Sequence, residues 1–167
     1  VRLKQQIGFV GGGFSFYPMK RLAAIRSVYA AFYQNWNDET YRSCLRRFGL
    51  DERKRVRELS DGMKVKFSLA LALSHGAKLL LLDEPTSGLD PLSREEFCDI
   101  LLSLSREEKT TVLFSTHISS DLLRTADDVL LLSHGKLPES RPLPELLARW
   151  KTVRFADAAT AAAANAV

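Results

Sequence analysis

The sequence has few cysteines and no long apolar segment. Only two of its 167 residues are cysteines, Cys44 and Cys98, and neither belongs to a paired motif. Disulfide-rich secreted folds and zinc sites need paired cysteines, so we expect a reducing compartment and structural roles for both thiols. No apolar run approaches the ~20 residues that cross a bilayer. Residues 1–6 do not resemble a secretory signal.

Neither positive nor negative charge dominates the sequence, but the two are unevenly distributed along it. The net charge is +4, with 14 Lys and Arg against 6 Asp and Glu in residues 1–66, and 10 against 14 in residues 67–167. A basic cluster can bind nucleic acid. Here Asp51, Glu52 and Glu58 interrupt the cluster, which is typical of a solvated helical face, so we expect no nucleic-acid partner. The cluster consists of Arg42, Arg46, Arg47, Arg53, Lys54, Arg55 and Arg57.

The most informative stretch is residues 79–90, Leu-Leu-Leu-Leu-Asp-Glu-Pro-Thr-Ser-Gly-Leu-Asp. Four leucines, enough for a strand and too few for a helix, predict a strand buried on both faces of a parallel sheet. Asp83 and Glu84 follow at its C-terminal end, where open α/β sheets place ligand chemistry. A Ser-Gly turn at 87–88 lets Asp90 return toward the same edge. The alternative is a core strand whose acidic residues only begin a loop and cap the next helix.

The rest of the chain alternates strands and helices. Strand, helix, strand, helix, strand in this order predicts a right-handed parallel α/β sheet. His117 ends its strand at the same edge as Asp83 and Glu84. The predicted strands are residues 7–10, 79–82, 110–115 and 129–132, and the predicted helices are 19–48 with a break at 35–38, 64–75, a helix from Pro91, 119–126 and 143–150, with 138–144 as a polar connection.

The helix at 64–75 has clear end signals. Ser60 and Asp61 are start signals, and Gly76 is the stop signal. One interpretation is an ordinary capped helix. The other is an anion site, because a helix N-terminus supplies free N–H donors and a positive dipole end.

Four motifs in this order and at about this spacing resemble the nucleotide-binding domains of ABC transporters, which are P-loop ATPases. They are a signature-like segment at residues 59–63, a Walker B strand with an adjacent carboxylate at 79–84, a D-loop at 87–90, and a switch histidine, His117. The resemblance covers residues 5 to about 137. It looks closest to the single-domain ATP-binding subunits of bacterial export-type systems.

The resemblance implies that ATP and Mg²⁺ are the cofactors. It implies that Asp83 orients Mg²⁺, usually through water, because Mg²⁺ keeps much of its water shell. Glu84 is expected to act as general base on the attacking water. His117 is expected to contact the γ-phosphate and to hold the water and the base in line.

The same resemblance implies a dimer of ATPase subunits, either identical or different. Ser60 and the backbone of Gly62 are expected to clamp the γ-phosphate of an ATP bound to the opposite subunit, and Asp90 is expected to couple the two sites. The helices at 19–48 are expected to receive an element of a transmembrane partner. Candidate apolar contacts for that partner are Phe14, Phe16 and Tyr17, which could instead simply pack the helical layer.

The sequence also departs from the family. It contains no G-x-x-x-x-G-K-[ST], so the loop that cradles the phosphates is missing. Gly12 stands where the family keeps a glutamine. Asp61 stands where a second Gly is usual, and because a carboxylate repels a phosphate, we expect its side chain to face solvent.

The expected fold is α/β, a P-loop NTPase of the ABC ATPase type, with a mostly parallel sheet, an inserted helical subdomain and missing N-terminal strands. Residues 1–137 are expected to form the partial ATPase domain, with the helical subdomain at about 17–62 and the sheet core at 63–137. Residues 138–167 are expected to be a C-terminal extension with a frayed, alanine-rich end. The first strands and the phosphate loop are expected to precede Val1.

The expected function is that of an ATP-hydrolysing subunit of a membrane exporter, cytoplasmic and held at the inner face of the membrane by its transmembrane partner. This chain alone is expected to be inactive. One alternative is a truncated, non-catalytic module that donates Ser60 and Gly62 to a partner's ATP site. A second is an ABC-type ATPase of DNA repair or translation, whose coiled coils or paired domains do not appear. A third is a metal hydrolase, for which a dense ligand set is absent.

Overall fold

The computed structural model describes residues 3–11 and 16–149. The chain divides into two compact units, Val1–Thr125 and Ala126–Val167. The predictions about Gly12, Phe14 and the alanine-rich end fall outside the described residues. In the described part the strands are β1 (Ile7–Gly11), β2 (Leu79–Asp83), β3 (Thr111–Ser115), β4 (Asp128–Ser133) and β5 (Lys136–Pro142), and the helices are α1 (Leu22–Phe32), α2 (Asp38–Phe48), α3 (Asp61–Ser74), α4 (Pro91–Arg106), α5 (Ser119–Thr125) and α6 (Leu143–Arg149).

The first unit is built on a parallel sheet in the order β1-β2-β3. The segment with α1, α2 and α3 connects β1 to β2, and α4 connects β2 to β3, which is the long crossover that parallel strands need. The predicted α/β class, parallel pairing and helical insertion are confirmed. The register places Asp83 opposite both Gly11 and Ser115 at the C-terminal edge.

The prediction that β2 is buried on both faces is wrong. Leu80 and Leu82 are buried, but Leu79 and Leu81 are only half-buried. The neighbours of Leu81 in the register, Phe9 and Leu113, are 67% and 49% exposed. One face of the sheet therefore packs against helices, whereas the described residues of the first unit form no covering layer on the other face.

The predicted helix ends are confirmed for α2. The Asn37 side-chain oxygen accepts the N–H groups of Glu39 at 2.9 Å and Thr40 at 3.0 Å, which satisfies two of the free donors of the first turn. The helix ends at Gly49. Short polar and glycine signals therefore set the bounds of this helix, as the sequence indicates.

The second unit contains a hairpin, which corrects two predictions. We expected β4 to be a further strand of the parallel sheet and residues 138–144 to be a connection. Instead β4 pairs antiparallel with β5, and α6 follows. His134 and Gly135 both have positive φ, which is the two-residue turn that brings a strand directly back. Prolines at 138 and 142 argued against a strand, but an edge strand tolerates them.

Both cysteines are buried and free, as their predicted structural roles require. Burial raises the pKa of each thiol, that of Cys44 and that of Cys98, to about 11. Because the thiolate is the reactive form, neither side chain is suited to nucleophilic or metal chemistry near neutral pH.

His75 lies at the C-terminal end of α3 and is buried, although a histidine at the end of an element is expected from the sequence to lie at the surface. Its ring stacks on Tyr33 with the two centroids 3.8 Å apart, and its Nδ1 donates to the Gln5 carbonyl oxygen at 3.3 Å. Burial lowers the pKa of His75 because the charged ring loses hydration. The histidine thus joins the ends of α1 and α3 to the segment before β1.

We expect the protein to lose stability as the pH falls from about 7.5 to about 5.5. The unfolded chain protonates His75 below its ordinary pKa of about 6.5, whereas the folded chain resists protonation. The free energy of unfolding is therefore unaffected above that pH. It falls by about 1.4 kcal/mol for each pH unit in which only the unfolded state carries the proton. The free energy of unfolding, measured with urea at several pH values in this range, should depend less on pH in His75→Phe than in the wild type. An unchanged dependence on pH contradicts the explanation. His134→Gln, at an exposed histidine, is the control.

Candidate functional site

The site begins where β2 and β3 end side by side. Asp83 and Ser115 are register partners, and the Ser115 hydroxyl donates to Asp83 Oδ1 at 2.7 Å. The same hydroxyl accepts the Glu84 N–H at 3.0 Å, and the Ser115 carbonyl lies 3.2 Å from that nitrogen. Ser115 therefore connects the two carboxylate residues. Sequence reasoning missed it, although its place two residues before His117 was a usable signal.

Glu84 has an unusual backbone conformation. Its φ is +48°, in the left-handed region that a residue with a Cβ seldom adopts, at a typical cost of about 1–3 kcal/mol. The two acceptors on Ser115 hold the Glu84 N–H in this conformation. The strain is concentrated at the junction between β2 and the following loop, directly after Asp83.

The structure brings Glu84 and His117 together. The His117 Nδ1 lies 2.9 Å from Glu84 Oε1, with hydrogen-bond geometry, and 2.8 Å from Oε2. Because a carboxylate accepts, Nδ1 carries the proton and the second ring nitrogen, Nε2, remains for a ligand. Oε2 is buried and has no hydrogen-bond donor aligned on it. The Glu84 carboxylate therefore keeps unused acceptor capacity, which a general base requires.

Asp83 fits a magnesium ion held mainly by phosphates and water. Its side chain is exposed, and the Ser115 hydroxyl is the hydrogen-bond donor on Oδ1. Mg²⁺ in nucleotide sites takes one or two carboxylates and completes its shell with phosphate oxygens and water. Among residues 3–11 and 16–149 no group of three or more His, Cys, Asp or Glu side chains is placed to hold a metal. A single carboxylate at a strand end suits a site in which phosphate oxygens and water supply the other ligands of Mg²⁺.

Asp90 has a local structural use. It is the N-cap of α4, and its Oδ1 accepts the Ser93 N–H at 3.0 Å. The hydrogen bonds from Ser93 lower the pKa of Asp90. Among the described residues, no hydrogen bond or ion pair joins the Asp90 side chain to Asp83, Glu84 or His117. The role of Asp90 between subunits stays a prediction.

The signature-like segment forms the start of α3. The Ser60 hydroxyl caps the helix by accepting the Met63 N–H at 3.2 Å, so the cap does not use the N–H groups of Asp61 and Gly62. Asp61 is exposed, as predicted, and its carboxylate is 2.7 Å from the Lys64 ammonium. The repulsion expected between Asp61 and a phosphate is thereby reduced by a neighbouring positive charge.

Gly62 is required by packing as well as by the predicted phosphate contact. A Cβ at this position would lie 3.0 Å from the Ser93 Oγ and 3.1 Å from its Cβ. Since such distances are tighter than ordinary contacts, a larger residue pushes the start of α3 away from the start of α4. The helix after the D-loop therefore fixes the position of the signature-like segment.

The two groups of predicted site residues are separate within this chain. The strand-edge group contains Asp83, Glu84 and His117, whereas Ser60 and Gly62 lie at the N-terminus of α3. The described residues show no hydrogen bond between the groups. A cavity of about 480 Å³ lies near α2 and the C-terminal ends of α3 and α4, and none of the predicted site residues lines it. The candidate site is an open sheet edge instead of an enclosed pocket.

Comparison with known families gives a match over residues 32–122, to the family described as "AAA domain, putative AbiEii toxin, Type IV TA system". The matched residues are more than half of the chain. They contain the signature-like segment, Asp83, Glu84, Asp90 and His117.

The chain is also similar to proteins that are named as ATP-binding proteins of transport systems. The chain is 39% identical over 99 residues to the bacitracin transport ATP-binding protein BcrA of Bacillus licheniformis, covering 59% of this chain and 32% of the relative. It is 33% identical over 151 residues to a methionine import ATP-binding protein of Pseudomonas entomophila, covering 87% of this chain and 45% of the relative. The chain thus spans less than half the length of these relatives.

A solved structure has the same fold. It is cbiO1 of Clostridium perfringens, part of the ABC transporter complex cbiONQ, with a TM-score of 0.74 and 25% identity over 89% of this chain and 61% of that one. This likeness and the family match assign the parallel sheet to the P-loop ATPase fold class. The chain belongs to the AAA-domain family of these ATPases and is part of an ATP-binding domain of the ABC transporter type.

Proposed function

We propose that the complete protein binds and hydrolyses ATP as the energising subunit of a membrane ABC transporter. The observation that carries this proposal is the strand-edge group, in which Ser115 bridges Asp83 to Glu84, and Glu84 contacts His117. It supplies, on two neighbouring strand ends, one metal carboxylate, one base and one histidine with a free nitrogen.

The proposed chemistry follows from these positions. Asp83 would help to hold Mg²⁺, which would supply positive charge to balance that of the phosphates. The Glu84 carboxylate orients a water molecule and takes its proton, a contribution of typically 10²–10⁴-fold. His117 donates from Nδ1 to Glu84 and keeps the base in place, and as an imidazolium it also donates from Nε2 to a phosphate oxygen.

We propose that two ATPase subunits complete each site. Ser60 and the free N–H groups of Asp61 and Gly62 form the N-terminus of a 14-residue helix, which is a favourable place for a phosphate. Their separation from the strand-edge group within one chain supports binding to an ATP held by the opposite subunit. Asp90, at the start of α4 and beside Gly62 through Ser93, is the residue proposed to couple the sites.

The proposed phosphate loop comes from sequence outside these 167 residues. In the described part, β3 pairs only with β2 and leaves its other edge free, and Phe9 and Leu113 are exposed on one sheet face. A parallel strand on that edge and a helix on that face would bury these side chains and carry the phosphate-binding backbone. Left open, such an edge promotes aggregation.

A transmembrane subunit is the proposed partner. Phe16 packs on Tyr29 and Phe67, so it belongs to the helical layer, whereas Tyr17 is 76% exposed and stays a candidate contact. Phe32 on α1 is similarly exposed. None of the described helices is long and apolar enough to cross a bilayer. We therefore propose a cytoplasmic subunit, held at the inner face of the membrane by this partner.

Export is the proposed direction of transport. It follows from the resemblance of the sequence to single-domain export-type subunits. One relative is named as a transport protein for bacitracin and another as a methionine import protein, so the relatives include an importer. Direction is therefore tested by transport of substrate into or out of vesicles containing the complete complex.

The second candidate function is a non-catalytic module that donates Ser60 and Gly62 to a partner's ATP site. It is favoured by one observation, the lack of a phosphate-loop motif in a chain whose signature helix is properly capped. ATP hydrolysis by the complete protein decides between the two candidates, because the module releases no phosphate on its own.

We expect Ser115→Ala in the complete protein to lower kcat for ATP hydrolysis about tenfold or more, and to raise the Mg²⁺ concentration needed for half-maximal rate. The substitution removes a hydroxyl bonded to a carboxylate, a kind of contact worth about 1.5–3 kcal/mol. Phosphate release measured across a Mg²⁺ titration tests this. Ser115→Thr keeps the hydroxyl and is the matched control. Wild-type rates and Mg²⁺ dependence in the alanine variant contradict the proposed role.

A further inference from the structure

Thr86 and Asp121 form a buried polar pair that the chemistry above does not use. Thr86 is 1% exposed and Asp121 is 3% exposed. The Thr86 hydroxyl donates to Asp121 Oδ2 at 2.6 Å. A carboxylate is costly to bury unless it is hydrogen-bonded, so this contact is a strong constraint on the two segments that carry it.

The two segments are those that carry the proposed catalytic groups. Thr86 lies two residues after Glu84, and Asp121 lies four residues after His117. Among the described residues, three hydrogen bonds join a side chain of one segment to a side chain of the other, Asp83 to Ser115, Glu84 to His117, and Thr86 to Asp121. The first two involve exposed or half-exposed side chains, whereas the third is excluded from water. The third link is therefore the least able to rearrange.

Thr86 also anchors the D-loop. The Ser87 N–H donates to the Glu84 carbonyl at 3.1 Å, and the Leu89 N–H donates to the Thr86 carbonyl at 3.2 Å. Leu89 is buried, and Ser87 and Gly88 are exposed. The D-loop therefore has an exposed tip between two buried residues, Thr86 and Leu89. The side chain of Thr86 contacts Asp121 on α5.

The helix α5 is fixed from a second side. Arg124 contacts Asp99 at 2.7 Å and Glu95 at 3.8 Å, both on α4, which begins at the end of the D-loop. These three side chains are largely exposed, so their contribution is modest. The hydrogen bond to Asp121, in the first turn of α5, is therefore the principal contact between this helix and the loop after Glu84.

We infer that Thr86 and Asp121 are positioning residues that hold Glu84 and His117 in register for hydrolysis. The inference rests on the proposed ATPase function. Because both side chains are buried, the proposed role requires no contact of the pair with ATP or Mg²⁺. It acts by fixing the loop after β2 against the start of α5, so that the carboxylate of Glu84 meets Nδ1 of His117.

The test is ATP hydrolysis by the complete protein carrying Thr86→Val, which keeps the shape of the side chain and removes the donor. The expected result is a fall in kcat of about tenfold or more with KM for ATP within about twofold, because positioning affects the reacting groups and not the binding of nucleotide. Thr86→Ser restores the hydroxyl and should restore kcat. Leu104→Ala, at a fully buried leucine of α4, is the control for loss of stability alone.

A double variant separates positioning from stability and serves if the single variant does not fold. Thr86→Val with Asp121→Leu replaces the polar pair by an apolar pair and removes the unpaired buried charge, so the melting temperature should recover. An apolar contact lacks the direction of a hydrogen bond, so kcat should remain low. If kcat recovers together with the melting temperature, the pair is only structural and the inference is wrong.

Glu84→Gln, assayed in parallel, distinguishes failure of the positioning role from failure of the proposed ATPase function. If Glu84→Gln abolishes hydrolysis while Thr86→Val turns over like the wild type at a temperature where it is folded, the inference fails and the proposed function stands. If Glu84→Gln hydrolyses ATP at the wild-type rate, the base role proposed for Glu84 fails, and if the wild-type complete protein releases no phosphate from ATP, the proposed function itself fails. If Leu104→Ala lowers kcat as much as Thr86→Val does, the effect is one of stability and the positioning role is overturned.

Discussion

Glu84→Gln lowers ATP hydrolysis by the complete protein at least about 100-fold while ATP still binds; this is the largest effect that we expect. The amide has nearly the same shape, and its oxygen can still accept from His117 Nδ1, so the geometry of the strand edge is preserved. What the amide cannot do is take a proton from water. The loss should therefore appear in kcat and not in the dissociation constant for ATP.

Phosphate release and equilibrium ATP binding, both measured on the same preparation, test this expectation. Glu107→Gln is a matched control, since this exposed glutamate at the C-terminal end of α4 undergoes the same change of charge far along the chain from the site. If Glu84→Gln hydrolyses ATP at the wild-type rate, another group acts as the general base. In that case the contact between Glu84 and His117 would be structural.

The second large effect concerns nucleotide binding. We expect this 167-residue chain alone to bind Mg-ATP at least about 100-fold more weakly than the complete protein, because the motif whose backbone N–H groups and lysine cradle the phosphates does not occur in it. Losing even one or two hydrogen bonds to a charged phosphate, at about 1.5–3 kcal/mol each, accounts for that factor.

Calorimetric titration of the short chain and of the complete protein with Mg-ATP measures the difference. Circular dichroism of the short chain is the control for its helix and strand content, because an unfolded chain also fails to bind. Ser60→Ala in the complete protein is a second control, since a site completed by the opposite subunit should lose less affinity than one without its phosphate loop. Tight binding by the short chain would mean that other residues build the phosphate site.

Local signals in the sequence determined the helix ends well. Ser60 is a predicted start signal and caps α3 through its side-chain oxygen, and Asn37, in the predicted break at 35–38, caps α2 in the same way. The strand β2 was predicted from four leucines and is found with its parallel neighbours on both sides. Each of these features depends on residues within a few positions of one another, so the sequence alone carries the information.

Features that depend on distant residues were predicted poorly. The burial of His75 follows from Tyr33 and the Gln5 carbonyl, which are separated from it by 42 and 70 positions. The pairing of β4 follows from a turn and an edge strand containing prolines, whose composition favoured a connection. The half-exposed face of β2 depends on which elements cover the sheet, and no property of the leucines indicates that.

The sequence by itself indicates the class of chemistry that we propose, because the types and order of Asp83, Glu84 and His117 restrict what a strand edge can do. Only the tertiary structure decided how these groups are held. Ser115 and the pair of Thr86 and Asp121 became visible as supports once β2, β3 and α5 were adjacent. A hydrogen bond requires two partners within about 3 Å. Residues 31 to 35 positions apart meet that condition only when the sheet brings their segments together.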